Sequence, residues 1–526
     1  MRRVTARAAA VLCALACASP ALGAVRDGAV VSKPAIAGTP WSDAAVAALD
    51  AQLDRAFADA ALRGAHAGLL AVDARDGRVL YARNADDAFQ PASTLKLLTG
   101  SVALDVLGAS YRFRTDVVAA GTIADGVLDG TLVLRGGGDP LLSASDLDDA
   151  ARAIAAAGIR RALRGAAIDD AHDEREPFLP GWSLDDVPYA YAAPVSALAY
   201  EHNAVRITVT PGDRPGAFAR LGTGAGVQRG VPIEGCTPTA ATHVLSAART
   251  GAPGSADTID VVREPAGCID VVGSIPFGAP AETLDVAVPD ADVYAFDAFS
   301  AALARHGIAA SSPSTIAGPW PDEHRFGETP ASNAPVLWRH DSEPLSDLLR
   351  DMWLPSDNLA AELLLREIGF VHDGAPGTTA HGLAAERAWL AAHGVDATAY
   401  ALADGSGLST YDRITPRALV AILRAAWDGP YRDAVLDALP VAGVRGTLAS
   451  SFAGTPAQGH VFAKTGTLAH VAALAGYAAN AAHGAVIFAL LIDDATADDA
   501  ALRAARGGVL SALVQGQDGA NGQSSR

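Results

Sequence analysis

The chain is poor in lysine and in cysteine, and beyond its first residues it has no long apolar run. Only Lys33, Lys96 and Lys464 stand against 37 arginines in 526 residues. A guanidinium stays protonated in proteins, whereas a desolvated lysine amine can lose its proton and act as a base. Codon bias accounts for the arginine excess, but it does not explain where the two interior lysines sit. No stretch past the N-terminus reaches the ~18 to 20 apolar residues of a membrane helix, so no transmembrane segment is expected. No CxxC pair or HExxH spacing occurs, which weighs against a metal site. Gly136-Gly137-Gly138-Asp139-Pro140 lacks a Walker lysine and is read as a turn. There is no GxSxG elbow despite 13 histidines, which weighs against a Ser-His-Asp hydrolase. A net charge of −19 makes nucleic acid a poor partner.

What is present begins with a leader. Arg2, Arg3 and Arg7 precede an apolar run over 8–18, and Ser19-Pro20-Ala21-Leu22-Gly23 provides small residues for cleavage. Residues 1–23 are therefore expected to be a secretory signal peptide, which directs the protein to the periplasm. Cys17 fits a lipoprotein signal poorly. Export leaves Cys236 and Cys268 in an oxidising compartment, where a disulfide is the first reading and two buried thiols the second. Such a loop would stabilise by roughly 3 to 4 kcal/mol.

About 500 mature residues exceed one hydrophobic core, so several domains are expected. The pattern over 67–84 reads as a β-hairpin, followed by a helix over 93–107 that is apolar on all sides and hence enclosed by protein. From 113 to 334 the texture changes to short β-rich pieces, with a sub-domain near 205–285. Helical periodicity returns with Leu345, Leu348, Leu349 and Met352, and a second helix follows over 359–368. Residues 461–468, 471–477 and 485–492 read as three successive strands, and 499–514 as a last helix. The expected boundaries are thus 24–112 and 335–515 for the two parts of one domain, 113–334 for the insertion, and 516–526 for a disordered tail.

Three short patterns carry chemistry. Ser93-Thr94-Leu95-Lys96 puts a hydroxyl and an amine one helical turn apart, where the amine can take the hydroxyl proton. Burial and the helix N-terminus would keep that amine neutral. The bland alternative is an N-cap serine with a solvated lysine. Ser356-Asp357-Asn358 sits in the tight connection between two helices, where all three residues are also ordinary caps. Lys464-Thr465-Gly466-Thr467 lies on a strand and offers a cation, hydroxyls and a glycine that admits a substrate backbone; alternatively, Lys464 is a solubilising edge lysine. Each pattern alone is permissive, but the order SxxK, SxN, KTG is specific.

On these motifs the chain resembles the penicillin-recognising serine acyltransferases. The 263 residues between Ser93 and Ser356 make it similar to the low-molecular-mass class C penicillin-binding proteins, the D-alanyl-D-alanine carboxypeptidase/endopeptidase family of the penicillin-binding protein 4 type. Further similar stretches are Gly137 to Pro140, Ala193 to Leu198 with Asn203, Asp404 to Leu408 and Gly443 to Leu448. The resemblance implies an α/β fold: a penicillin-binding/β-lactamase-like transpeptidase domain, its antiparallel sheet flanked by helices, with a large β-rich insertion of one or two domains between SxxK and SxN. It implies a peptidoglycan stem peptide as substrate, β-lactams as inhibitors, and no requirement for a metal or organic cofactor. Ser93 would be the nucleophile, Lys96 its base and Ser356 the proton relay. Asn358 would position Lys96 and the substrate amide. Lys464, Thr465 and Thr467, beside Gly466, would hold the substrate carboxylate, and the N–H groups of Ser93 and Thr467 would form the oxyanion hole. Peripheral association with membrane or wall is compatible with this reading.

Ala469-His470-Val471-Ala472 departs from the family's small, polar run; His470 either alters substrate preference near that strand or, as the favoured expectation, is a strand residue turned to solvent. Two rival functions remain. A β-lactamase is disfavoured by the long insertion and by the lack of a recognisable deacylating glutamate; a non-catalytic β-lactam sensor or wall-binding module is disfavoured by the intact motifs.

Overall fold

The structure is a computed structural model that describes residues 31–515 apart from 177, 224–225, 230–243, 264–267, 311–333 and 375. The expected leader, the tail and Cys236 lie outside the described residues. Its centre is a five-stranded antiparallel sheet in the order Val79–Arg83, His66–Asp73, Gly484–Asp493, Val471–Asn480, Val461–Leu468. The first hairpin of the sequence thus joins the last three strands across the whole chain. Strand alternation divides the apolar side chains between two cores. Leu70, Val72, Ile487, Ala489 and Leu491 point one way, Leu69, Ala71, Val486, Phe488 and Leu490 the other. Helices Lys96–Leu107, Asn358–Asp373 and Pro416–Asp428 cover the first face; Asp43–Phe57 and Asp499–Val514 cover the second. With both faces covered, these strands read as continuous apolar runs.

The middle of the chain builds its own cores. A six-stranded mixed sheet centres on Arg114–Ala124 and Val127–Arg135. Strand Val336–Asp341 pairs with Arg114–Ala124, so this sheet extends past residue 334, where the sequence had suggested a change of domain. The middle segment also holds two helices that the sequence reading did not place, Ala144–Ala156 and Ala291–Arg305, packed on the sheet through Leu147, Ile154, Phe296 and Phe299. Ser143 and Asp146 form a capping box at the start of the first, a signal that was present in the sequence. A four-stranded sheet (Glu282–Ala287, Ala204–Thr210, Arg220–Thr223, Gly226–Arg229) and a three-stranded one around Ile269–Val272 share a further small core. Cys268 is buried and disulfide-bonded. Gly136–Gly138 is an irregular segment leading from strand Val127–Arg135 to a turn at Pro140, and its Gly136 and Gly138 N–H groups donate to Asp169 O and Ala197 O, so they are not free to cradle a phosphate. No described helix is long and apolar enough to cross a membrane.

Candidate active site

The SxxK segment starts as a tight turn rather than as an α-helix. Ala92–Leu95 is a 3-10 turn, entered through a left-handed Ala92 (φ 45°), and the α-helix begins at Lys96. Thr94 Oγ1 donates to Pro91 O (2.6 Å), which pins the turn and leaves Ser93 half-buried with its hydroxyl free to meet Lys96. Every residue from Lys96 to Leu104 is buried, so the helix is enclosed as its all-round apolar pattern predicts.

Lys96 is fully buried, which removes the solvated-lysine alternative. Its Nζ donates to Ser93 Oγ (3.0 Å), Asn358 Oδ1 (2.5 Å) and Ser406 O (2.8 Å). Burial lowers its pKa to about 8, against the opposing pull of Asp404, Glu362 and Asp357. A usable fraction of neutral amine therefore exists near neutral pH, in contact with the serine hydroxyl.

Ser356-Asp357-Asn358 follows helix Leu345–Trp353, and its three residues divide the labour. Asp357 is the helix cap, accepting from Ala360 N (3.0 Å). Ser356 is left-handed (φ 70°), which turns its hydroxyl toward Lys464 Nζ (2.8 Å). Asn358 gives its oxygen to Lys96, while its Nδ2 donates to Tyr191 O (2.7 Å) from the middle segment. Capping and chemistry thus occupy neighbouring residues of one turn.

Strand Val461–Leu468 lies at the sheet edge, yet Lys464 is fully buried, so it is not a solubilising edge lysine. Its amine donates to Ser356 Oγ and to Thr465 O. Burial and then the charge of Lys96 drive its pKa well below the ordinary lysine value. Gly466 has a steric reason to be glycine, because a Cβ there would lie 2.7 Å from Pro91 O. Thr465 Oγ1 is 2.8 Å from Thr447 Oγ1, and Thr467 is exposed. His470 is solvent-exposed as expected, but it occupies the left-handed turn (φ 62°) after the strand rather than the strand itself, with Nδ1 on Ala495 O.

Several residues around the site received no role from sequence. Thr447 lies in one of the family-like stretches and extends the hydroxyl row of the KTG strand. Glu362 Oε1 accepts from Ser406 N (2.8 Å), and the carbonyl of the same residue meets Lys96. Burial first, and the charge of Asp404 second, raise the Glu362 pKa to about 8. Asp404 gathers Gly407 N, Ser409 N and Trp182 Nε1. This carboxylate-anchored loop presses on the turn that carries Ser93: Gly407 is left-handed (φ 78°), and a Cβ there would fall 1.9 Å from Ala92 O. Glycines and acids in Asp404-Gly405-Ser406-Gly407 were visible in the sequence; that they buttress Lys96 was not. Among the described residues, no group of His, Cys, Asp and Glu could hold a metal ion.

This arrangement can be set beside known proteins. The model of the D-Ala-D-Ala carboxypeptidase 3 (S13) family matches residues 49–513. A D-alanyl-D-alanine carboxypeptidase of Actinomadura sp. is 36% identical over 467 residues, covering 85% of this chain and 81% of that protein. The D-alanyl-D-alanine carboxypeptidase DacB of Haemophilus influenzae is 26% identical over 443 residues, 83% of this chain and 87% of that protein. The crystal structure of penicillin binding protein 4 (dacB) from Haemophilus influenzae superposes with a TM-score of 0.73 at 25% identity, covering 89% of this chain and 98% of that one. The same protein in complex with a β-lactam matches with a TM-score of 0.70. The expected fold, a helix-flanked antiparallel sheet interrupted by a long insertion, is the fold observed. The chain belongs to the D-Ala-D-Ala carboxypeptidase 3 (S13) family, a family of serine peptidases.

Proposed function

We propose that the protein hydrolyses peptidoglycan stem peptides at D-Ala-D-Ala termini, and cross-links of the same stereochemistry, through an acyl-enzyme on Ser93. The observation that carries this reading is the buried Lys96 amine, bonded at once to Ser93 Oγ and Asn358 Oδ1. Neutral Lys96 takes the Ser93 proton as Oγ attacks the substrate carbonyl carbon. The oxyanion is held by the N–H groups of Ser93 and Thr467, each such donor contributing ~3 to 4 kcal/mol. Collapse forms the Ser93 ester and breaks the C–N bond. The leaving amine receives its proton through Ser356, whose hydroxyl sits on Lys464. Water then attacks the ester and regenerates Ser93.

In the free site two lysine amines are buried near one another, and the charge of Lys96 disfavours that of Lys464. An incoming substrate carboxylate over Lys464, Thr465 and Thr467 restores the charged form of Lys464 and leaves Lys96 as the neutral partner. A penicillin presents a strained amide beside a carboxylate and enters the same way, which supports β-lactams as inhibitors. The leader over 1–23 supports export to the periplasm, where this substrate is found, and peripheral contact with wall or membrane is part of the same proposal. In that oxidising compartment Cys236 is the proposed partner of Cys268.

Incubation with purified pentapeptide monomers and with cross-linked muropeptide dimers tests the reading. Free D-alanine from the first and monomers from the second are expected. A folded protein that releases neither overturns it, and steady chromogenic cephalosporin turnover without D-alanine release would make it a β-lactamase.

A further inference from the structure

Two hydrogen bonds tie the middle segment to the Ser356-Asp357-Asn358 turn. One is made by the Tyr191 carbonyl, which accepts from Asn358 Nδ2. The other is made by His202, whose Nδ1 donates to Asp357 Oδ2 (2.8 Å), between Ser356 and Asn358. The backbone that carries His202 is unusual. Glu201, His202 and Asn203 are three consecutive left-handed residues (φ 47°, 55° and 51°), none of them glycine. Such conformations persist only where the surroundings over-determine them.

Here the surroundings do so. Asn203 is fully buried, accepts from Tyr200 N (3.0 Å) and donates from Nδ2 to Pro194 O (2.9 Å), while Val288 N donates to Asn203 O (2.9 Å). Glu201 N donates to Leu142 O, and Glu201 Oε1 accepts from Ala144 N. The side chain exposed by this strained turn is the one that grips Asp357. Ser356, one residue before Asp357, is itself left-handed.

We propose that His202 is a positioning residue for acyl transfer: by holding Asp357 from the middle segment, it fixes the turn that aims Ser356 at Lys464 and Asn358 at Lys96. This rests on the reading of Ser93 and Lys96 as nucleophile and base. It gives the insertion a part in the chemistry beyond any binding surface it offers.

The clamp has a pH dependence with a definite sign. The hydrogen bond and charge of Asp357 raise the His202 pKa to about 8 against the effect of burial, with Glu201 and Asp285 adding to the rise. The other groups facing it are Asp351, and Arg206 paired with Asp285. Asp357 is lowered: burial opposes ionisation, but the His202 contact, the Ala360 N–H and the Lys96 charge together outweigh it. The imidazolium–carboxylate clamp is therefore complete below about pH 8 and weakens as pH rises through that value. Lys96 runs the opposite way, gaining its neutral form over the same range.

The test is the rate of Ser93 acylation by a fluorescent penicillin in the full-length protein as a function of pH. Wild type is expected to rise toward pH 8 and then fall. His202→Ala should be slower by about ten-fold at pH 7, within the range set by small misplacements of reacting groups, and should show no alkaline fall. His202→Gln keeps a donor without a titration, so it should recover part of the rate and likewise lose the alkaline fall. Thermal melts of each variant separate folding from positioning. Variants that melt lower but acylate at the wild-type rate, with the wild-type pH profile, overturn the inference while leaving Ser93 in place. Labelling that survives Ser93→Ala overturns instead the reading on which it rests.

Discussion

Ser93→Ala is expected to release no D-alanine above background, a loss on the order of 10⁶-fold, the scale seen when a serine hydrolase loses its nucleophile. Lys96 Nζ has three partners, and two of them, Asn358 Oδ1 and Ser406 O, carry no proton to give. Ser93 Oγ is the partner from which the amine can take one. The other serine of the site, Ser356, is held by Lys464, so it does not stand in for Ser93. The half-buried Ser93 side chain is small, and its removal should leave the melting temperature nearly unchanged. Loss of D-alanine release in a variant with an intact melt, followed by chromatography of the reaction, is the expected pair of results.

Lys96→Arg and Lys96→Met should each lower the second-order acylation rate by about 10⁴-fold, the cost typical of removing a catalytic base. Arginine keeps the positive charge but cannot act as a neutral base, and a guanidinium does not fit a fully buried site in which every amine hydrogen has a partner within 3.0 Å. Equal losses in the two variants would say that proton transfer, not charge, is what Lys96 supplies. The wild-type acid limb carries the same message. Burial brings the Lys96 pKa down to about 8, so the rate should rise roughly ten-fold per pH unit below that value, up to the alkaline fall set by the His202 clamp. Lys464→Arg should retain more activity than Lys96→Arg, because its proposed work is done by charge. Complete burial against Ser356 nevertheless makes the larger guanidinium costly there as well. Stopped-flow acylation by a reporter penicillin across pH 6 to 9 distinguishes these cases.

The scarcity of lysine proved a good guide because both interior lysines sit where a solvated cation has no place. The three motifs were visible for a related reason: each lies within four residues of sequence. The strands of the central sheet were equally legible, since apolar runs bounded by turns need little context. Contributions from afar were not. Glu362 looks like an ordinary helix residue until its carboxylate is seen to hold the peptide that faces Lys96. His202 and Tyr191 lie in a stretch with no strong periodicity, and their meeting with Asp357 and Asn358 depends on how the middle segment folds back over the site. The helices Ala144–Ala156 and Ala291–Arg305 were missed because they are set among short β-rich pieces, although Ser143 and Asp290 mark their starts. Ser93 itself was expected on a helix. Its tighter 3-10 turn depends on Pro91, left-handed Ala92 and the nearby Gly407 and Gly466, which come together only in three dimensions.

The most direct test of the account is the mass of the peptide that carries Ser93 after the protein has been mixed with penicillin and quenched in acid. Cleavage after Arg83 and Lys96 yields the peptide 84–96. The account predicts that this peptide gains the full mass of the penicillin, in a one-to-one ratio with the protein, and that the peptide holding Ser356 stays unmodified. An adduct on the Ser356 peptide, or an unmodified 84–96 peptide from a protein that still releases D-alanine, would contradict it.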